Sequence, residues 1–509
     1  MTKMEFFNNI HTAFSIALMP GNIFFALVGG VVGFIIGVLP GFGSASGLAV
    51  LIPLTFSMDS TSAMIMLATI YSASEFGGAV TAILLSVPGE ASAVVTIFDG
   101  YPLAKKGRAG AALGMAAFAS AIGGFFGTIC FMIFAPPLAK VVLEFGPAEF
   151  FSLVFFALTF ITVLSETSLL KGIISALLGL LLAVIGIDSI SGRERFTFGL
   201  VGLSSGIDFI AVLIGLFAVS EIFISIEEGI QESPYHDSKI SGMLPTKEDW
   251  KNSLGALAQG SVIGTIIGSL PGAGATIASF ITYGVTKKFS KHPEKFGTGV
   301  IEGVAGPECA NNSVCAGAMI PTFTLGIPGS ATTAVMLGAL MLHGLRPGPN
   351  LFIENHDLIW GLIGGMYIGN IIAMIIGLTC VGIFVKLLRL PYPMLVVLIF
   401  SLCVIGIYSV NNSTNAIWLI LIFGVLGYLM KKLEFPTTTL VLAFILGPLM
   451  ENSLRQSLII FNGRLTGFLQ SPIASIFLIL SLIIIIWSLV TAARKHTTIK
   501  SENNEQQLK

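Results

Sequence analysis

Residues 6–58 contain not one Asp, Glu, Lys or Arg. As one helix rising about 1.5 Å per residue they would run for about 80 Å, against a hydrocarbon core of ~30 Å. The stretch must fold back on itself, and Gly37-Val-Leu-Pro-Gly-Phe-Gly43 marks the place. Proline there removes a backbone donor, and glycine opens dihedrals closed to other residues. In hydrocarbon, non-helical backbone survives only when buried in protein or lining a polar cavity. Residues 253–286 follow the same plan: they are uncharged, with Gly268-Ser-Leu-Pro-Gly-Ala-Gly274 in the middle.

Both breaks read G-x-L-P-G-x-G and lie 231 residues apart. A second pair follows them, Ser86-Val-Pro-Gly89 with Ser92 beyond it, and Gly326-Ile-Pro-Gly329 with Thr332 and Thr333 beyond it. Glu75 and Glu308 stand between the paired motifs at a similar offset, and Asp99-Gly100 and His343-Gly344 close the units. The pattern predicts an internal duplication. Residues 1–226 form a first transmembrane repeat and 227–252 a polar linker. Residues 253–435 form a second, inverted repeat, 436–493 add C-terminal spans, and 494–509 are a polar tail.

Composition excludes a soluble enzyme. Charged residues make up 10% of the 509, where a soluble protein has roughly 25%. Of the 53 charged side chains, 22 fall in the four segments 1–5, 227–252, 287–295 and 494–509. A water-exposed surface cannot be covered by the remainder. Segments 147–165, 169–187, 207–226, 392–409, 415–430 and 471–493 each suit one crossing, 357–385 forms another long span, and 109–139 suits a crossing with a break at Pro136-Pro137. The expected fold is an all-α polytopic membrane protein of two inverted structural repeats, with broken helices or re-entrant hairpins and roughly 10–12 crossings. The net charge of −1 gives no pull toward nucleic acid. The five cysteines lack metal-ligand spacing and read as packing residues. No nucleotide-binding G-x-x-x-x-G-K-[ST] occurs, and no removable signal peptide is evident at the N-terminus.

Basic residues orient the repeats, because cytoplasmic loops collect them. Lys287, Lys288, Lys291 and Lys295 follow the second LPG break, whereas its first-half counterpart has none. Lys105, Lys106 and Arg108 follow the first VPG motif, whereas the second-half counterpart has only Arg346. The bias reverses, as in units of opposite orientation. Counting crossings places the N-terminus in the periplasm and the linker, Lys386, Arg389, Lys431-Lys432 and Arg494-Lys495 in the cytoplasm.

Paired broken helices point to a secondary-transport site near the midplane. Half-helix N-termini present free N–H groups and a dipole that favours an anion. The candidate substrate-binding residues are Pro40, Gly41, Gly43, Ser44 and Ser46 at the first break and Pro271, Gly272, Gly274 and Thr276 at its counterpart. Pro88, Gly89 and Ser92 and Pro328, Gly329, Ser330 and Thr332 join them, with Asn311 and Asn312. Glu75 and Glu308 are candidates for binding the coupling ion, since a carboxylate within a membrane is costly. Glu90 reads first as a structural carboxylate at a helix N-terminus, and Glu149, Glu166, Asp188 and Asp208 as interfacial residues.

Three blocks carry a family resemblance: GVLPGFGSASGLAVLIPLTF (37–56), GSLPGAGATIASFITY (268–283) and EGVAGPECANNSVCAGAMIPTFTLGIPGSATTAVMLGAL (302–340). They resemble the large permease subunit of tripartite tricarboxylate transporters, the TctA family, over roughly residues 5–490. The resemblance implies a multi-pass symporter of the bacterial inner membrane. It would import citrate, other tricarboxylates or related carboxylates on a cation gradient, with Na⁺ or H⁺ as the coupling ion and no other cofactor or metal. It further implies a small membrane subunit and a periplasmic binding protein that delivers the substrate. Two rivals make different demands. An intramembrane protease needs a Ser–His pair or paired aspartates at mid-span, and His343 is the only histidine near the breaks. A channel also uses broken helices but cannot accumulate its substrate.

Overall fold

A computed structural model describes residues 3–164, 168–188, 190–228, 242–387 and 392–507. Glu166, Arg389 and the 229–241 part of the linker lie outside the described residues, as do the side chains of Lys386, Arg494 and Lys495. The helices in chain order are α1 (Lys3–Ala17), α2 (Pro20–Val38), α3 (Gly43–Leu51), α4 (Ser60–Leu85), α5 (Val94–Leu103), α6 (Ala109–Val142), α7 (Pro147–Leu164) and α8 (Leu169–Ala183). Then come α9 (Phe209–Glu227), α10 (Lys247–Gly268), α11 (Gly274–Phe289), α12 (Glu302–Leu325) and α13 (Ala331–Leu342). The last are α14 (His356–Thr379), α15 (Tyr392–Asn411), α16 (Thr414–Lys432), α17 (Thr437–Ile460) and α18 (Pro472–Gln507), with short helical turns between some of them. Nine helical stretches among the described residues are long and apolar enough to cross a membrane. The only described strands are the two-residue pair β1 (Gly186–Ile187) and β2 (Glu194–Arg195). The protein is an all-α polytopic membrane protein.

Two compact units are distinguished by packing. The first comprises residues 1–143 and 208–428, the second 144–207 and 429–509. In the first, α2 lies along α4 and α10 lies along α12. Gly29, Gly33 and Gly37 recur every four residues on one face of α2. A Cβ on Gly29 or Gly33 would stand 2.6 Å from the carbonyl oxygen of Met66 or Ile70, and one on Gly37 would strike that of Ser74. Gly260, Gly264 and Gly268 do the same on α10, against the carbonyls of Gly306, Ala310 and Val314. Lipid supplies no hydrophobic drive for helices to associate, so such stripes of small residues let backbones approach and gain dispersion contacts. The two stripes use six of the chain's 58 glycines.

Both supporting helices end alike. Ser86 (φ 60°) closes α4 and Gly326 (φ 69°) closes α12, each in the left-handed region. The window of α4 that could cross the membrane is buried throughout, so α4 is the central post of the first unit. Its start is set by Asp59, whose carboxylate accepts from the amides of Thr61 and Ser62 at 3.0 and 3.2 Å.

The expected break at Pro136-Pro137 is absent: α6 runs unbroken from Ala109 to Val142. The two prolines are adjacent and sit in the last two turns, so one local interruption of the hydrogen-bond ladder serves for both. In the second unit α7 and α8 pack against α17, and α7 also against α18. Arg455 pairs with Asp188 at 2.7 Å and Arg195 with Glu451 at 2.6 Å there. The carboxylates expected at span ends act as caps. Glu149 accepts from the Gly146 amide, Asp188 from those of Ile190 and Ser191, and Asp208 from that of Ala211.

Candidate functional site

The two LPG breaks adopt one conformation. Gly41 and Gly43 have φ of 80° and 65°, and Gly272 and Gly274 have 78° and 68°. Leu39 donates to the Ile36 carbonyl as Leu270 does to Ile267, and Phe42 to Leu39 as Ala273 does to Leu270. Each break ends one helix, turns through Pro40 or Pro271, and starts another whose first turn has no side-chain cap. The paired PG segments close against them. A Cβ on Gly89 would strike the Gly37 carbonyl, and one on Gly329 would stand 2.6 Å from that of Gly268. Gly329 also accepts the Gly272 amide at 3.0 Å.

The breaks then exchange partners between the two halves of the chain. Helix α3, from the first LPG break, packs on α13, which follows the second PG segment. Helix α11, from the second LPG break, packs on the turn Ala91–Ala93, which follows the first PG segment. Ser44 and Thr332 share a 2.9 Å hydrogen bond across this exchange. Ser44 also donates to Glu75 at 3.4 Å, and Ser92 donates to the other Glu75 oxygen at 2.5 Å. One turn past Ser92, the Thr96 hydroxyl donates to Glu308, which also accepts from Asn311 at 3.3 Å. The segment after the first PG break therefore serves both glutamates. Ser330 caps α13 in a reciprocal box with Thr333 and shares a 3.2 Å hydrogen bond with Tyr71.

Of the expected site residues, Ser44, Ser92, Thr332, Ser330, Glu75, Glu308 and Asn311 take part in these contacts. Asn312 faces a small chamber among α4, α6, α12 and α14. Ser46 is turned elsewhere, donating to the Phe217 carbonyl of α9 at 3.1 Å. Thr276 is half-buried on α11. The equivalence of Glu75 and Glu308 does not survive: Ser74 lies beneath Gly37 as Val314 lies beneath Gly268. Cys315 therefore stands where Glu75 does, and Glu308 lies seven residues earlier.

Sequence reasoning underweighted Glu90 and missed Tyr71, Thr96 and Asn370. Glu90 is buried, packs over Gly78, and keeps one carboxylate oxygen without a hydrogen-bond partner. Its signal was available, since it occupies the place of Ser330 beside the second PG. Asp99 accepts the amides of Gly297, Gly299 and Val300 and the Tyr283 hydroxyl, tying the segment that precedes α12 to α5. Among the described residues every buried charged side chain is acidic; no lysine, arginine or histidine is buried with them. An anion reaching this region would meet hydroxyls, amides and half-helix N-termini rather than fixed cations. No group of three or more His, Cys, Asp or Glu able to hold a metal occurs among the described residues.

The chain is 40% identical over 491 residues to an uncharacterized 52.8 kDa protein in the TAR-I ttuC' 3' region of Agrobacterium vitis, covering 96% of this chain and 98% of that one. It is 42% identical over 231 residues to an uncharacterized protein in the TAR-II ttuC' 3' region of the same organism, covering 45% of this chain and 96% of that one. No solved structure matches the chain with significance. The family model for the tripartite tricarboxylate transporter TctA family matches residues 23–442, which takes in both LPG breaks and both PG segments. The chain belongs to the tripartite tricarboxylate transporter TctA family.

Proposed function

We propose that this protein is the large permease subunit of a cation-coupled secondary transporter that imports tricarboxylates or related carboxylates. It would work in a bacterial inner membrane with a small membrane subunit, receiving substrate from a periplasmic binding protein. The observation that carries the reading is the exchange of partners between the halves, α3 on α13 and α11 on Ala91–Ala93. Alternating access needs a site whose walls belong to elements that can separate in two directions, and exchanged contacts supply such walls. Substrate carboxylates would take N–H groups at the starts of α3 and α11 and the hydroxyls of Ser44, Ser92, Ser330 and Thr332. Glu75 and Glu308 have no buried base to balance them, so binding an anion beside them calls for a co-bound Na⁺ or H⁺.

The test is uptake of a labelled carboxylate panel into sealed vesicles, with Na⁺ and H⁺ gradients imposed separately and the binding protein present or omitted. Accumulation against the substrate gradient is expected for at least one cation, and flux only downhill would identify a channel. Gly272→Leu and Asn312→Ala should each abolish driven uptake while leaving the protein in the membrane. Normal uptake in both would remove the breaks from the site.

A further inference from the structure

Four helices of the first unit, α4, α6, α12 and α14, enclose a cavity of about 10 Å³, room for the centre of one water-sized particle. Its polar wall is made by Thr69 and Ser72 of α4, Asn312 of α12 and Asn370 of α14. Asn312 is 2% exposed, and its Oδ1 atom has no hydrogen-bond partner. Asn370 Oδ1 accepts the Ser72 hydroxyl at 2.7 Å, and the Thr69 hydroxyl donates its proton to the Ile65 carbonyl at 2.8 Å. Both hydroxyl protons are thus taken by protein acceptors, and the oxygens keep free lone pairs. Gly124 of α6 completes the wall, since any side chain there would collide with the Asn370 amide.

A chamber that presents oxygen acceptors and leaves one of them orphaned calls for an occupant that donates hydrogen bonds or carries positive charge. The surrounding charge favours the second. Glu75 stands one turn beyond Ser72 on α4, and Glu308 one turn before Asn312 on α12. Both are buried, and their hydrogen bonds come from neutral hydroxyl and amide groups. Carboxamide and hydroxyl oxygens are hard ligands suited to a hard cation, and negative charge on either side holds it in a medium of low dielectric.

We propose that this chamber seats a sodium ion, bound by Asn312 Oδ1, Asn370 Oδ1 and the hydroxyl oxygens of Ser72 and Thr69, with Glu75 and Glu308 supplying the balancing charge. The proposal rests on the cation-coupled reading above and names where the cation sits. The seat joins α4 and α12, which end in the two PG segments, so its occupancy bears directly on how those segments are held.

The experiment follows the melting of the purified full chain in lipid nanodiscs by tryptophan fluorescence, as NaCl replaces choline chloride at constant ionic strength. A saturable Na⁺-dependent rise in melting temperature is expected for the wild type. Ser72→Ala and Asn370→Ala should melt cooperatively in choline yet raise the half-saturating Na⁺ concentration by roughly tenfold or more. Asn370→Asp, which adds charge and keeps an oxygen ligand, should hold or lower it. Absence of a Na⁺-dependent rise in the wild type overturns the proposal. So do unchanged midpoints in all three variants, or equal destabilisation in both salts, which marks a chamber filled by water. Binding is read here without flux. A failed uptake experiment therefore leaves this result standing, and carboxylate import by a protein blind to Na⁺ removes only the seat.

Discussion

Gly37 touches two partners at once, the Ser74 carbonyl beneath it and Gly89 beside it, and Gly268 repeats this with Val314 and Gly329. At such positions the absent side chain is the functional group. Gly329→Val should cost about 1–3 kcal/mol through overpacking, read as a lower melting temperature in detergent, whereas valine at the exposed Gly21 meets nothing within 4 Å and should be close to neutral. A second residue-scale expectation concerns Asp188. Donation from the Ile190 amide, then from Arg455, holds its carboxyl well below the usual carboxylate range. A depressed value in the folded state stabilises above the unfolded value of about 4 and is lost as acid protonates the folded group. Relative to free amides at the same pH, hydrogen exchange at the Ile190 and Ser191 amides should stay slow from neutral pH down to about pH 4 and quicken only in stronger acid. In Arg455→Gln the quickening should begin at higher pH. Single residues were legible in the sequence where a motif framed them, as with Ser44, Ser92 and Thr332. Glu90 was harder to weigh, because a carboxylate after Pro-Gly reads equally as a helix-dipole partner.

The two halves resemble one another in their elements more closely than in their side chains. G-x-x-x-G-x-x-x-G on α2 and α10, the dihedrals of the LPG turns and the left-handed ends of α4 and α12 all match, while Glu75 faces Cys315 in the comparison. Backbone approach constrains both halves alike, but the residues aimed into the middle differ between them. The Pro136-Pro137 expectation failed for a related reason: proline marks a break only when the freed groups find other partners, and sequence does not reveal those partners. The exchange of α3 onto α13 was likewise hidden, since nothing in the motifs says which hairpin meets which helix. It can be tested directly. With native cysteines replaced, Ser44→Cys and Thr332→Cys should cross-link on mild oxidation, given the 2.9 Å between the native hydroxyls. The cross-link should halt uptake, and a reductant should restore it. Undiminished uptake by the cross-linked protein would show that α3 and α13 stay together through the cycle.

At the scale of the whole molecule, charge-free stretches were enough to reveal an all-α membrane protein, because hydrocarbon leaves a chain so few choices. They could not reveal that 144–207 packs with 429–509. Gly179 lies against the Leu440 carbonyl, yet the stretches around them, 176–183 and 440–446, are apolar and name no partner. The basic-residue count still makes a whole-molecule prediction, with the N-terminus periplasmic and the C-terminus cytoplasmic. A C-terminal fluorescent-protein fusion should glow and a C-terminal alkaline phosphatase fusion should be inactive; the opposite pair of results would reverse the orientation.

The hydrogen bond between Ser44 and Thr332 spans 288 residues. At translation rates of roughly 5–20 residues per second, Ser44 leaves the ribosome on the order of 15–60 s before its partner exists. During that interval the first break has no α13 to pack against. The nascent chain therefore has to be sheltered by the insertion machinery, by waiting lipid headgroups or by a provisional fold of its own first half. The timing of synthesis becomes part of what the site demands.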